Sequence, residues 1–288
     1  MILGGIEAGG TKFICAISDE NMEIKERISI PTTAPEETML NVFEFFDKYD
    51  VDAFGIGSFG PIDVNPSSDT YGNITSTPKV AWQHYPFLDV MKDRYDVPFS
   101  FTTDVNAAAY GEMKMGAAKG KGSCMYITVG TGIGAGIVID GEVIHGFSHP
   151  EAGHILVRRH PEDMFAGFCP FHGDCLEGIA AGPAIGKRFD TDAKDLPKHH
   201  ISWEIEAYYL AQALVNYTLT VSPEMIIFGG GVMKQDQLYP LIYKEFESLM
   251  NGYVETPKLS EYIVPCQLED NAGIIGCLLL AKNAYETK

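Results

Sequence analysis

The chain has 288 residues, 45% of them apolar, with 39 acidic side chains against 21 basic ones and a formal net charge of −18 at pH 7. This length can bury a substantial core and slightly exceeds what one compact lobe needs, so two domains are expected; the acidity would repel a phosphate backbone and excludes nucleic acid as a partner. No basic leader precedes the first apolar stretch, the later run MYITVGTGIGAGIVI is broken by glycines, and six unevenly spaced cysteines do not make a secreted disulfide framework, so a soluble chain in a reducing cytoplasm, away from membranes, is expected.

Residues Met1 to Ile6, Phe13 to Ile17 and Ile24 to Ile30 are apolar and β-prone, and the glycine-rich break after the first of them predicts a meander of strands. Thr33 is placed to cap a helix entered at Pro35, with Glu36 and Glu37 in its first turn and MLNVFEFF as its apolar stripe. A strand over Val51 to Ile56 ends in GSFGPID. Another, Pro98 to Thr102, runs straight into DVNAAAYGEMKMG, whose alanines favour a helix, so Asp104 is expected at a strand end just ahead of a helix. From Met125 the pattern restarts as MYITV, GTGIGAG and GIVID, a strand, glycine turn and strand that suggest a structural repeat of the opening. Helices are predicted over Leu176 to Arg188, Trp203 to Thr220 and Leu238 to Met250, a strand over Met225 to Phe228, and a final apolar helix over Ala272 to Ala284. Meanders followed by alternating strands and helices predict an α/β protein of two similar lobes.

Glycines let the main chain approach a ligand closely, and successive N–H groups turned into one concavity bind anions, phosphate above all. Neither glycine turn fits GxxxxGK[ST], and GTGIGAG lies between two strands, not in the strand-to-helix setting of a dinucleotide site. Tight hairpins with glycine at positive φ remain the plain alternative. The company the turns keep favours a ligand: each carries a threonine, and a third turn, GGGV, follows the strand ending at Phe228.

EAGGTK, the DVNAAA segment, TVGTGIGAG, HPEAGH with cysteines behind it, and FGGGV, in that order, resemble the ROK family of sugar kinases over nearly the whole chain. The opening GGIEAGGTKF is most similar to the family's bacterial fructokinase branch. The resemblance implies the actin-like ATPase fold: two ribonuclease-H-like lobes with an active-site cleft between them, expected here as residues 1–115 and 116–288, with the last helix packing back on the first lobe. It implies that Gly9, Gly10, Thr11 and Lys12, together with Thr131, Gly132 and Gly134, bracket the ATP phosphates, and that Pro183, Gly230, Gly231 and Val232 border the adenosine. Asn106, Glu151, His154 and Glu177 match the family's sugar contacts, Gly57 and Gly60 would let the first lobe approach the sugar ring, and a homodimer is implied.

Phosphoryl transfer to a sugar hydroxyl needs a base, a metal to neutralise the triphosphate, and donors around the moving group. Asp104 is the expected base, with a helix-capping role as the alternative. Glu7 is expected to hold Mg²⁺ through water; the family usually has aspartate there. Thr103 stands where the family commonly has asparagine, which alters one contact to the sugar hydroxyls and leaves the preferred hexose open.

His154, Cys169, His172 and Cys175 fall in one short region, and two sulfurs with two imidazoles suit tetrahedral Zn²⁺. Buried thiols beside a chance histidine, or a labile disulfide, are the alternatives. The family's cluster has three cysteines; here histidine replaces the middle one. Four protein ligands would make the metal structural, holding His154 by one ring nitrogen while the other faces the sugar. HPEAGH does not suit a zinc protease, because proline and glycine oppose the helix that chemistry requires. Cys15, Cys124, Cys266 and Cys277 are expected in the core.

The activity implied is an ATP- and Mg²⁺-dependent hexose kinase converting D-fructose to fructose 6-phosphate. Mannose, glucose and N-acetylhexosamine kinases are the nearest alternatives. A sugar-sensing regulator of the same family is the alternative of another class; it would carry an added helix-turn-helix, for which no room precedes Glu7, and the acidity opposes DNA.

Overall fold

A computed structural model describes residues 1–288. The opening meander forms as β1 (Leu3–Ala8), β2 (Lys12–Ser18) and β3 (Ile24–Pro31), followed by α1 (Pro35–Phe46) and β4 (Ala53–Ser58). A short α2 (Phe87–Lys92) precedes β5 (Phe99–Thr103), which passes without a break into α3 (Asp104–Met115). The second half contributes β6 (Cys124–Val129), β7 (Ile133–Ile139), β8 (Glu142–Val143), α4 (Leu176–Ala180), α5 (Gly182–Phe189), α6 (Ser202–Thr220) and β9 (Ile226–Gly229). It closes with α7 (Leu238–Met250), α8 (Leu259–Tyr262), β10 (Ile263–Pro265) and α9 (Ala272–Glu286). No helix is long and apolar enough to cross a membrane.

The strands make two five-stranded sheets, ordered β3-β2-β1-β4-β5 and β10-β9-β6-β7-β8. Reading the second backwards, each has the same plan: a meander whose first strand sits centrally, then two strands added in parallel beside it. The repeat expected from the two glycine-turn segments is therefore present in the topology. The turns between β1 and β2 and between β6 and β7 occupy equivalent places, as do the exits of β4 and β9. The chain gathers into two compact units, residues 1–120, 136–150 and 267–288 in one, 121–135 and 151–266 in the other.

In the first unit, side-chain alternation sorts residues onto the two faces of the sheet. Leu3, Ile14, Ala16 and Ala53 pack against Ile274, Leu278 and Ala281 of α9. Ile6, Phe13, Cys15, Phe54 and Ile56 point the other way, onto Met39, Val42, Phe45 and Phe46 of α1 and onto Trp82 and Phe87. Glycines allow α9 to press against its neighbours. A Cβ on Gly276 would lie 1.7 Å from the Ala107 carbonyl oxygen of α3, and one on Gly55 of β4 1.9 Å from that of Cys277.

Two predicted boundaries differ. Thr33 does not cap α1: the N-cap is Ala34, with no side-chain cap bond, and the Thr33 N–H instead donates to Thr38 Oγ1 at 3.0 Å. The helix expected over Leu176 to Arg188 is two helices. Ala181 is extended at φ −69°, ψ 158°, because Pro183 has no N–H and its ring would strike the carbonyl four residues earlier, so α4 ends and α5 restarts around the proline. Cys15, Cys124 and Cys277 are buried as expected, whereas Cys266, just beyond the β10 edge strand, is partly exposed.

Candidate active site

Asp104 is the first residue of α3. The cap is its neighbour: Thr103 Oγ1 accepts from the Asn106 N–H at 3.1 Å, which leaves Asp104 partly exposed in the first turn, where the helix dipole favours a carboxylate. Its Oδ1 accepts from the Val105 N–H at 2.9 Å. Gly57, at the end of β4, gives α3 room, since a Cβ there would lie 2.8 Å from Ala107 Cβ and 3.3 Å from Asp104 Cα. Asn106 is only 1% exposed, its Nδ2 donating to Thr102 Oγ1 at 3.1 Å and its Oδ1 accepting from the Ile137 N–H at 3.4 Å. The structure thus uses both Thr103 and Asn106 to hold the start of α3 in place.

The turn after β1 is closed by the Gly9 N–H donating to the Lys12 carbonyl at 3.0 Å and braced by Thr32 Oγ1 donating to the Gly9 carbonyl at 2.8 Å. Thr11 and Lys12 are exposed. Glu7, on β1 just before this turn, directs its carboxylate at the first turn of α9, where the Ile274 N–H bonds it and Gly273 leaves it space. Burial pushes the carboxyl up to about 7, and its Oε2 is buried without a hydrogen-bond partner.

In the second unit, the Gly130 N–H donates to the Gly132 carbonyl at 2.9 Å and the Gly182 N–H to the Gly130 carbonyl at 2.8 Å, which ties the Thr131 turn to the start of α5 beside Pro183. The Ile133 N–H donates to Glu177 Oε2 at 2.9 Å, and a Cβ on Gly132 would lie 2.6 Å from that oxygen. At the exit of β9, Gly230 has φ +90° and lies so close to Val129 that only glycine suits it, Gly231 is exposed, and Val232 is buried. Gly134 is partly exposed within β7.

His154, Cys169, His172 and Cys175 bring one donor atom each to within 4.8 Å of one another. His154 Nδ1 is 3.4 Å from Cys175 Sγ and 3.7 Å from Cys169 Sγ, and Cys169 Sγ is 3.7 Å from His172 Nδ1. Tetrahedral zinc with ordinary Zn–S and Zn–N bonds would set sulfur and nitrogen about 3.6 Å apart. The three separations are close to that spacing, while the four donors together spread to 4.8 Å, so the set suits such an ion after a small contraction. The other imidazole nitrogen of His154, Nε2, lies 4.0 Å from Glu151 Oε2 and 3.9 Å from Glu177 Oε1, so three predicted sugar contacts converge. Burial, and then the Glu177 carboxylate, push Glu151 up to about 7.

His149, not singled out in the sequence although it opens HPEAGH, accepts from the Ile62 N–H at Nε2 (3.0 Å) and so pins the turn that follows Gly57. The bond requires a neutral ring with its proton on Nδ1, and burial lowers the His149 pKa. The unfolded imidazole should therefore take up a proton that the folded one refuses as pH falls below about 6.5, so this group's contribution to stability is complete above that value and declines beneath it. Glu7, Glu151 and Glu206, whose carboxyls burial raises, take up protons more readily in the folded chain and oppose this loss, so it is read as the difference between wild type and His149→Gln in urea unfolding at pH 7 and pH 5. His149→Gln should reduce the slope; half-buried His145, lowered in the same direction by burial, accounts for part of what remains.

The ROK family model matches residues 3–284. The chain is 51% identical to a fructokinase of Pediococcus pentosaceus, with 99% of each chain covered, and 46% identical to a fructokinase of Streptococcus mutans, with 98% of this chain and 97% of that one covered. Among solved structures it is similar to a ROK family glucokinase from Streptomyces griseus in complex with glucose and AMPPNP, at a TM-score of 0.78 and 25% identity, covering 98% of this chain and 100% of that one.

Proposed function

Because the chain belongs to the ROK family, we propose that it is an ATP-dependent fructokinase that transfers the γ-phosphoryl group of ATP to the 6-hydroxyl of D-fructose. The full-length identity to named fructokinases carries this reading, and the chemistry at hand agrees with it. Asp104 takes the hydroxyl proton as the sugar oxygen bonds to the γ-phosphorus; the bond from phosphorus to the bridging oxygen breaks, and ADP leaves. The N–H groups of the Gly9–Lys12 and Thr131–Gly134 turns hold the phosphates, while Pro183 and the Gly230–Val232 turn border the adenosine. Gly57, Glu151, His154 and Glu177 receive the sugar, with Thr103 and Asn106 fixing the helix that carries the base.

Mg²⁺ would supply charge neutralisation of the triphosphate, and the unpartnered, buried Glu7 oxygen suits a metal-bound water. Zn²⁺ would sit among His154, Cys169, His172 and Cys175 as a structural ion. The same reading places the enzyme in the cytoplasm as a homodimer. The test is ADP release across a panel of hexoses: kcat/KM should be highest for fructose, and a clear preference for glucose, mannose or an N-acetylhexosamine, or no ATP-dependent turnover, would overturn it.

A further inference from the structure

Arg188, in the last turn of α5, and Asp163 form a buried ion pair, with side chains 5% and 0% exposed, that the proposed chemistry does not use. Arg188 Nε donates to Asp163 Oδ1 at 3.0 Å and Nη2 lies 2.9 Å from Oδ2, a two-pronged geometry only a guanidinium supplies. Nη2 also donates to the Ile179 carbonyl of α4 at 2.5 Å. The Asp163 carboxylate further accepts from the Phe165 N–H at 2.9 Å and from the Tyr209 hydroxyl of α6 at 2.6 Å, and the guanidinium lies 5.2 Å from the Phe165 ring and 5.8 Å from that of Tyr209. Glu206, one turn before Tyr209, is fully buried with neither oxygen hydrogen-bonded; burial raises its pKa well above the usual range, and the Arg188 charge works against that shift.

A buried ion pair is a poor source of stability, because desolvation offsets most of the attraction. What this one supplies is geometry. It grips the loop between His154 and Cys169, and the helix that begins directly after Cys175 and carries Glu177. These two segments bring His154 Nε2 and Glu177 Oε1 to 3.9 Å. On the fructokinase reading above, we propose that Arg188 is a positioning residue for the acceptor sugar, acting through Asp163 and the Ile179 carbonyl to hold His154 and Glu177 in register.

The test compares wild type with Arg188→Lys and with the double variant Arg188→Met/Asp163→Asn, which removes both charges, keeps an oxygen to accept from the Phe165 N–H and turns an amide N–H toward the Tyr209 hydroxyl oxygen. In both variants KM for fructose should rise about tenfold or more, with KM for ATP within about twofold and bound metal retained, and Lys should not rescue Arg because it cannot span both partners. Amide hydrogen exchange should quicken in residues 155–168 and 176–181 alone. An unchanged fructose KM in a folded variant, or KM values for fructose and ATP that rise together with general loss of protection, would overturn the proposal. If wild type proves not to use fructose, the fructokinase reading fails separately; exchange then decides the brace itself, and protection unchanged in those two segments would remove it.

Discussion

Replacing Asp104 by asparagine is expected to lower kcat on fructose by about 10²- to 10⁴-fold, the range a positioned general base contributes, while the affinities for fructose and ATP stay close to wild type. The substitution isolates the proton acceptor unusually well. Asparagine keeps an oxygen where Asp104 Oδ1 accepts from the Val105 N–H, and the α3 cap belongs to Thr103, so the helix start has no reason to move. A loss confined to kcat would remove an interaction made only as the hydroxyl loses its proton. Single-turnover rates with equilibrium binding of each substrate check this. Near-normal turnover in a variant that binds both would mean that another group accepts the proton.

The parts of the fold legible in the sequence are those written in local pattern. β-prone runs separated by glycine turns outlined both meanders, and the restart at Met125 foreshadowed a repeat that the two sheet orders make plain. The Cys169, His172 and Cys175 spacing is likewise local, which made a metal-sized cluster readable. Features that depend on distant partners were not legible. Arg188 and Asp163 meet across 25 residues and His149 and Ile62 across 87, and neither pairing has a periodic or compositional signature. The glycines at 55 and 276 look unremarkable as sequence, yet they set how closely α9 approaches β4 and α3. Asn106 stood out in the sequence as a candidate sugar contact, whereas its buried, doubly bonded amide became visible only once β5 and β7 were placed.

If zinc fills the His154, Cys169, His172 and Cys175 cluster as proposed, stripping it, or replacing Cys175 by serine, is expected to weaken fructose binding about 10- to 100-fold while ATP still binds. Without an ion, two sulfurs and two imidazoles packed within 4.8 Å have no common partner, and Cys175 is a thiol pushed up to about 11, chiefly by burial. His154 then loses what fixes its Nδ1, and with it the orientation of Nε2 toward Glu151 and Glu177. Ion binding must displace thiol protons, so metal retention should fall as pH falls. Elemental analysis of chelator-treated protein, followed by separate titrations with fructose and a non-hydrolysable ATP analogue, distinguishes local loss from general unfolding. Undiminished fructose affinity in protein verified to be metal-free would show that the cluster does not shape the sugar site.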